Sequence, residues 1–174
     1  NSPRREIDTH KYPLMKEIQA ITLRVIDPIS DQGIWAIVDD ACNSCCMGEH
    51  WLKNAKKKWE MKGFEAPLVQ YKPTKFTGVG TKMTGGKYKV PLGLKLEESG
   101  LELPAVVSCY EIPEADHPLL LSQAVQAKYG MVKNVRAGTI VMTDYENQHI
   151  EVVRQIRTGL FMVRLDHMDG ISEV

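Results

Sequence analysis

The stretch IWAIVDDAC, residues 34–42, decides the fold class. Its first five residues are all apolar, and a short continuous apolar run is typical of a β-strand buried on both faces. The run ends abruptly at Asp39 and Asp40, so the predicted strand carries two carboxylates at its tip. A second apolar run, Leu119–Leu121, ends in the same way at the polar residue Ser122. The sequence therefore predicts two buried strands that each end in polar residues, and this repetition suggests internal duplication.

Short strands account for most of the remaining chain. The spacing of apolar residues predicts one long helix over Gly48–Lys62, and a short helix over Gln123–Tyr129 follows the second buried strand. Apolar runs and alternating patterns, separated by turn residues, predict further strands at Ile18–Ile26, Leu103–Tyr110, Met131–Val135, Gly138–Met142, Ile150–Val153 and Leu160–Leu165. Many strands with few helices predict a mostly β domain that closes into a barrel.

The segment from Phe76 to Leu96 is punctuated by glycines. Gly78, Gly80, Gly85 and Gly86 interrupt a stretch of Thr and Val, after which apolar and polar residues alternate. This pattern predicts a glycine-hinged β-hairpin. A phosphate-binding loop is not predicted, because no Gly-Lys-Ser/Thr follows the glycines and no helix begins there.

Size and charge narrow the classes of function. A chain of 174 residues with 43% hydrophobic content can bury one substantial core. The 22 basic and 22 acidic side chains cancel, so the overall charge favours neither nucleic acid nor an anionic membrane as a partner. No apolar run approaches the roughly 20 residues that span a bilayer. Lysines cluster on one side of the long predicted helix, where we expect a solvated face; they are Lys53, Lys56, Lys57, Lys58 and Lys62.

The cysteines are expected to be reduced thiols. Cys42, Cys45 and Cys46 lie too close together in the chain to bridge one another, which favours an intracellular, reducing compartment. With His50 and the distant Cys109 they offer the soft ligands of a zinc site, although the second well-spaced ligand pair of such sites is missing. Buried apolar packing is the favoured interpretation, and no cofactor or metal is expected.

Other catalytic constellations have less support. The histidines have no Ser or Cys partner in a recognisable nucleophile elbow, so a hydrolase triad is not predicted; they are His10, His50, His117, His149 and His167. A cysteine nucleophile at Cys42 or Cys45 is a weak alternative. Asp39 also has a structural alternative, since Asp at the end of a strand commonly accepts hydrogen bonds from the amides of a turn.

Three segments resemble, in order, the motifs of retroviral-type (retropepsin-like) aspartic proteases. Residues Ile37–Cys42 resemble the apolar strand that ends in Asp-Thr/Ser-Gly-Ala/Cys. Phe76–Leu96 resembles the glycine-rich flap, and Leu119–Val125 resembles the late apolar-apolar-Gly-x-Asp/Asn-apolar segment that leads into a short helix. The resemblance spans residues 18–142. In particular it is similar to the protease-like segments of copia-type retroelement polyproteins, which are abundant in dinoflagellate genomes.

The resemblance implies a retropepsin-like fold for residues 14–143. Residues 1–13 would then be a polar N-terminal arm, and residues 144–174 a C-terminal β extension packed on the same domain. The implied catalytic residue is Asp39, with Asp40 and Ala41 completing the active-site loop. The implied substrate-binding flap contains Gly78, Val79, Gly80, Gly85 and Gly86. Two chains would pair, so that one carboxylate acts as general base on water and the other as general acid.

Three residues depart from the family pattern. Asp40 replaces a hydroxyl residue that donates a hydrogen bond to lock the two active-site loops together, and a carboxylate can only accept. Its charge is also expected to raise the proton affinities of the paired aspartates, which predicts weak or absent activity near neutral pH. Ala41 and Ser122 replace glycines, whose missing Cβ lets a chain bend tightly.

Two hypotheses follow from this mixture of matches and departures. The first is a catalytically weakened or silent pseudoprotease module that has a binding or structural role in a larger assembly, with a protein or peptide as partner. The second is an active homodimeric aspartic endopeptidase that uses Asp39 of each chain to activate water. The substitutions, the arm and the C-terminal extension favour the first. The retained Asp39 and the glycine-rich hairpin favour the second.

Overall fold

The protein has a mostly β fold with two α-helices, as the sequence predicts. A computed structural model describes residues 26–64, 68–70, 75–78, 80–83, 85–155 and 158–168. Except for Ile26, the predicted strand Ile18–Ile26 lies outside these residues. The helices are α1 (Glu49–Met61), α2 (Gln123–Tyr129) and a 3-10 helix (Thr143–Tyr145). The strands are β1 (Trp35–Val38), β2 (Cys46–Gly48), β3 (Leu68–Gln70), β4 (Lys75–Gly78), β5 (Gly80–Met83), β6 (Gly86–Lys95), β7 (Glu102–Ile112), β8 (Leu119–Leu121), β9 (Met131–Asn134), β10 (Thr139–Met142), β11 (Gln148–Ile150), β12 (Val152–Arg154) and β13 (Phe161–Arg164).

Eight strands form one sheet in the order β12-β13-β1-β8-β2-β7-β6-β3. A second sheet has the order β11-β10-β9, and β4 pairs with β5 in a two-stranded sheet. The predicted closed barrel is not confirmed, because the outer strands β12 and β3 do not pair with each other in the described part of the chain. Instead, two isolated bridges, Gly93↔Asp166 and Leu96↔Ile150, join β6 and the residue that follows it to the C-terminal part of the chain.

The apolar run of β1 is buried on both faces, as predicted. Ala36 and Val38 belong to one hydrophobic cluster, which includes the tryptophans of α1. Trp35 and Ile37 point the other way, into a second cluster with Leu120. The strand lies between β8, to which it is parallel, and β13, to which it is antiparallel. A strand that contacts core on both faces needs an uninterrupted apolar sequence, because successive side chains point to opposite faces.

The long predicted helix is α1, which begins after Gly48 and ends before Gly63. Gly63 has a φ of 80°, a left-handed conformation that stops the helix at little steric cost. Trp51 and Trp59 are buried on its inner face, with ring centroids 6.0 Å apart in an edge-on arrangement. The Trp51 indole donates a hydrogen bond to the Trp35 carbonyl at 3.0 Å and so fixes the helix against β1. No helix in the described ranges is long and apolar enough to cross a membrane.

The lysines of α1 are not all on a solvated face. Lys58 is half-buried, and its ammonium group donates to the carbonyls of Ile29 at 3.1 Å and Gly33 at 3.0 Å. Burial lowers the pKa of Lys58. Lys56 lies 4.7 Å above the centre of the Tyr88 ring. These two lysines therefore have structural contacts, whereas Lys53 and Lys57 are exposed, as predicted.

An ion pair holds the segment that follows β13 against the sheet. Asp166 is only 2% exposed and accepts hydrogen bonds from Arg164 Nε at 2.6 Å and Nη2 at 3.1 Å. Burial raises the pKa of Asp166, but the hydrogen bonds and charge of Arg164 outweigh that effect, so the pKa is lowered overall. The backbone of His167, the next residue, packs against Gly93, and the His167 N–H donates to the Gly93 carbonyl at 3.0 Å.

Candidate active-site loops

Asp39 stands at the tip of the parallel pair formed by β1 and β8. Its amide donates to the Leu121 carbonyl at 3.2 Å, which extends the pairing by one residue. Its carboxylate oxygen Oδ1 accepts the Ala41 amide at 3.0 Å, and its carbonyl accepts the Cys42 amide at 3.3 Å. This is an Asx-type turn, in which a side chain takes the place of a backbone acceptor. The half-buried carboxylate is thus fixed by its own turn.

Asp40 pairs with a cation that no local sequence pattern predicts. Its Oδ2 atom accepts a hydrogen bond from Lys133 Nζ of β9 at 2.5 Å. The Asp40 side chain is 56% exposed, so the pair contributes at most about 1 kcal/mol to stability. The ammonium group of Lys133 offsets part of the negative charge beside Asp39. The repulsion expected from Asp40 is therefore reduced.

Ala41 and Ser122, the two residues at which the sequence resemblance leads one to expect glycine, adopt ordinary backbone conformations. Ser122 has φ −67° and ψ 160° and caps helix α2, with its hydroxyl accepting the Val125 amide at 3.4 Å. Ala41 is not among the described non-glycine residues with positive φ, which are Glu114, Glu146 and Asn147. Neither position requires the left-handed region that favours glycine. Ala41 and Ser122 therefore introduce no backbone strain into the loops.

The loops after β1 and β8 are held together by contacts that do not involve residue 40. The Cys45 thiol donates to the Ser122 hydroxyl at 3.5 Å, and the Ser122 amide donates to Cys45 Sγ at 3.4 Å. The Gln123 amide donates to the Cys42 carbonyl at 3.4 Å. We call these three contacts the loop brace. The brace therefore joins the two loops without a hydroxyl group at position 40.

All four cysteines are free and buried. Cys42 Sγ lies 3.9 Å from Cys46 Sγ, and the hydrogen bond between them lowers the pKa of Cys42 and raises that of Cys46. No cluster of three His, Cys, Asp or Glu side chains that could hold a metal occurs in the described residues. The imidazole of His50 pairs instead with Asp116 at 3.6 Å. The zinc alternative at Cys42, Cys45, Cys46 and His50 therefore gains no support from the geometry.

The glycines of the predicted flap fall into two places. Gly78 and Gly80 face each other at the turn between β4 and β5, while Val79 between them lies outside the described residues. Gly85 and Gly86 lie at the start of β6, where the Gly85 amide donates to the Glu111 carbonyl at 2.8 Å. Gly86 has a φ of 142°. A glycine-tipped hairpin is present at Lys75–Met83, but the alternating residues predicted to belong to it form β6, which pairs with β3 and β7. The role of these glycines as a substrate-binding flap stays a prediction.

Sequence reasoning missed a cavity beside the loops. It has a volume of about 590 Å³ and is bounded by Ser44, Cys45 and Ser122 of the loops together with residues of β6, β7 and α2. Asp39 is not among its described lining residues. No local sequence pattern marks this cavity, because it depends on which strands are neighbours in the sheet.

Comparisons with known proteins place few limits on the function. No protein-family model matches the chain, and no curated protein matches it. Among solved structures, the chain is similar to the crystal structure of the retroviral protease-like domain of Ddi1 from Leishmania major. That match has 15% sequence identity and a TM-score of 0.41, and covers 66% of this chain and 80% of the other.

Proposed function

We propose that this chain is a retropepsin-like module without peptidase activity, which has a binding or structural role in a larger assembly. A retroelement origin, implied by the sequence resemblance, is part of the proposal. The observation that carries it is that the parallel strands β1 and β8 are followed by different polar residues. Strand β1 delivers the carboxylate of Asp39, whereas β8 delivers Ser122 and Gln123. Aspartic peptidases hydrolyse peptides with two carboxylates that share one proton, so a chain that does not pair with a second copy would lack half of the machinery.

The contacts of the loops also support a structural role. The Asp39 carboxylate holds its own turn, Asp40 pairs with Lys133, and Cys45 braces Ser122. Each of these contacts stabilises the loops in the absence of a substrate. A rigid, braced loop pair is what a scaffold for binding requires.

The active homodimer is the second candidate, and one observation favours it. Lys133 offsets part of the charge of Asp40, which weakens the main electrostatic objection to a dyad built from two Asp39 residues. In such a dimer one Asp39 would take a proton from water, and the other would protonate the peptide carbonyl.

Peptide cleavage separates the two candidates. The chain and its Asp39→Asn variant are assayed on a mixed peptide library between pH 3 and 7, with and without a statin-type transition-state mimic. Asparagine keeps an oxygen that can accept the Ala41 amide, so the variant is expected to fold. The exposed Asp116→Asn variant controls for the loss of one charge. We expect equal background in all three proteins, and cleavage that only Asp39→Asn and the mimic abolish would establish the enzyme.

Sedimentation across a wide concentration range provides the complementary result. A chain that stays monomeric cannot assemble a two-chain active site, which would remove the second candidate. A dimer that shows no Asp39-dependent cleavage would support a structural role for the pairing.

A further inference from the structure

The cavity beside the loops runs along the edge of a strand. Four consecutive residues of β7, Ala105–Ser108, line it. Successive side chains of a strand point to opposite faces of the sheet, so a wall made of consecutive residues is the edge of the strand and not one of its faces. The cavity therefore lies where backbone N–H and C=O groups emerge from β7.

This edge of β7 is largely unpaired. On its other edge, β7 pairs with β6 along ten consecutive positions, from Glu102 to Glu111. On the cavity side it pairs with β2 only at Tyr110–Ile112. In the ranges that the structure describes, no strand pairs with Leu103–Cys109 on that side. An unpaired strand edge is a ready template for another extended segment.

The prolines of this hairpin identify which backbone groups point into the cavity. In an antiparallel pair, hydrogen-bonded and non-hydrogen-bonded positions alternate along the strands. Pro91 lies opposite Val106, and Pro104 lies opposite Gly93. A proline has no N–H to donate, so these are the non-hydrogen-bonded positions, whose backbone groups point away from the partner strand.

Two residues of β7 consequently present both N–H and C=O groups to the open edge. Val106 and Ser108 lie two and four residues after Pro104, so their backbone groups point in the same direction as those of Pro104. The same holds for Tyr110, whose amide does point to the cavity side, where it donates to the Cys45 carbonyl at 3.0 Å. A strand laid in the cavity could continue this pairing through Ser108 and Val106.

The charge of the cavity lining is positive. Lys87 and Lys128 line the cavity, and no Asp or Glu is among its described lining residues. Lys87 Nζ lies 5.5 Å from the centre of the Tyr110 ring, which holds the cation at one end of the open edge. Val106 is 64% exposed, an unusual position for a large apolar side chain in the middle of a sheet strand. The lining therefore suits an extended peptide that carries carboxylates as well as apolar side chains.

We propose that the open edge of β7 binds an extended acidic peptide of a partner protein. The peptide would add a strand beside Val106 and Ser108, with its carboxylates near Lys87 and Lys128. Such strand addition takes affinity from backbone hydrogen bonds and specificity from side-chain pockets. The unpaired edge of β7, Leu103–Cys109, is about 23 Å long, the length of a seven-residue strand. The inference rests on the proposed binding role and does not involve Asp39.

Amide hydrogen exchange tests whether the edge is open in the isolated chain. The amides of Val106 and Ser108 are expected to exchange fast, and those of Val107 and Cys109, which face β6, are expected to exchange slowly. Slow exchange at all four amides would mean that another segment of the chain or a second copy already covers the edge. That result would overturn the proposal.

A displayed library of random octapeptides, selected on the folded chain, tests the partner chemistry. We expect enrichment of acidic, β-prone sequences, with binding at least about tenfold weaker to the Lys87→Glu/Lys128→Glu variant. The Lys53→Glu/Lys57→Glu variant makes the same charge change on the exposed face of α1 and should bind normally. No enrichment, basic sequences, or equal loss with both double variants would refute the proposal.

N-methylated versions of a selected peptide test the backbone pairing. Two versions of the peptide are compared, one methylated on the odd-numbered amides and the other on the even-numbered amides. One version should lose binding and the other should keep nearly all of it, because only alternate peptide amides would face β7. Equal effects of the two methylation patterns would contradict strand addition. The cleavage assay with Asp39→Asn is independent of these results, so failure here leaves the proposed loss of peptidase activity standing.

Discussion

Replacement of Asp166 by asparagine is expected to destabilise the protein by about 2 kcal/mol at pH 7. Asp166 is 2% exposed and accepts two hydrogen bonds from Arg164, at 2.6 and 3.1 Å, with Lys62 3.9 Å away. Loss of one partner of a fully buried pair costs about 3–5 kcal/mol. Here Arg164 is 35% exposed and water can solvate it, and asparagine keeps one acceptor oxygen, which together lower the expected cost.

The effect should depend on pH in a defined direction. Because the pKa of Asp166 is lowered in the folded protein, its charge stabilises the fold above the unfolded-state value of about 3.9. That contribution is lost as the pH falls through the folded-state pKa. The difference in unfolding free energy between the wild type and Asp166→Asn should therefore be constant from pH 5 to 7 and shrink below about pH 4.

Urea unfolding followed by tryptophan fluorescence measures this difference, since Trp35, Trp51 and Trp59 are all buried. With a urea dependence of about 2 kcal/mol per molar, the midpoint should fall by roughly 1 M. The exposed Asp116→Asn variant should stay within about 0.5 kcal/mol of the wild type. A change no larger than that in Asp166→Asn, or one that does not shrink in acid, would refute the role given to the ion pair.

Three further predictions concern Tyr129, Gly93 and the Lys133–Asp40 pair. The Tyr129 hydroxyl is buried with no hydrogen-bond partner among the described residues, so Tyr129→Phe should be neutral or up to about 1 kcal/mol more stable in thermal unfolding. Burial raises the pKa of Tyr129 to about 12, so the wild type should lose stability between about pH 10 and 12, a loss that Tyr129→Phe should not share. A Cβ at Gly93 would collide with the His167 carbonyl, and Gly93→Ala should therefore cost at least about 1 kcal/mol in urea unfolding; an unchanged midpoint would contradict the close packing. A double-mutant cycle on Lys133 and Asp40 should give a coupling energy below about 1 kcal/mol, and more than 2 kcal/mol would mean that the pair is less solvated than its exposure indicates.

Local sequence patterns were sufficient to predict several elements of the fold, although not the short strands β2 and β3. The apolar runs at 34–38 and 119–121 predict strands buried on both faces, because no polar side chain could be accommodated on either face. The spacing of Trp51, Leu52, Ala55 and Trp59 predicts α1 because these side chains share one face of a helix. The pair of acids at the tip of β1 could be located because it interrupts the run.

The partners of those acids could not be predicted, since they lie far away in the chain. Lys133 is 93 residues from Asp40, and Ser122 is 77 residues from Cys45. Such contacts depend on the order of strands in the sheet, which periodicity does not specify. The open edge of β7 could not be predicted for the same reason. The sequence around Val106 is that of an ordinary strand, and the edge of β7 is unpaired there because β2 is short.

The initial rate of peptide cleavage, measured as the concentration of the chain is raised, tests the central claim most directly. A peptidase that needs Asp39 from each of two chains would show a rate that rises more steeply than the concentration and vanishes in Asp39→Asn. We expect a rate that stays at background at every concentration and is identical in the variant. A steep rise that Asp39→Asn removes would contradict the account and identify the protein as an active homodimeric endopeptidase.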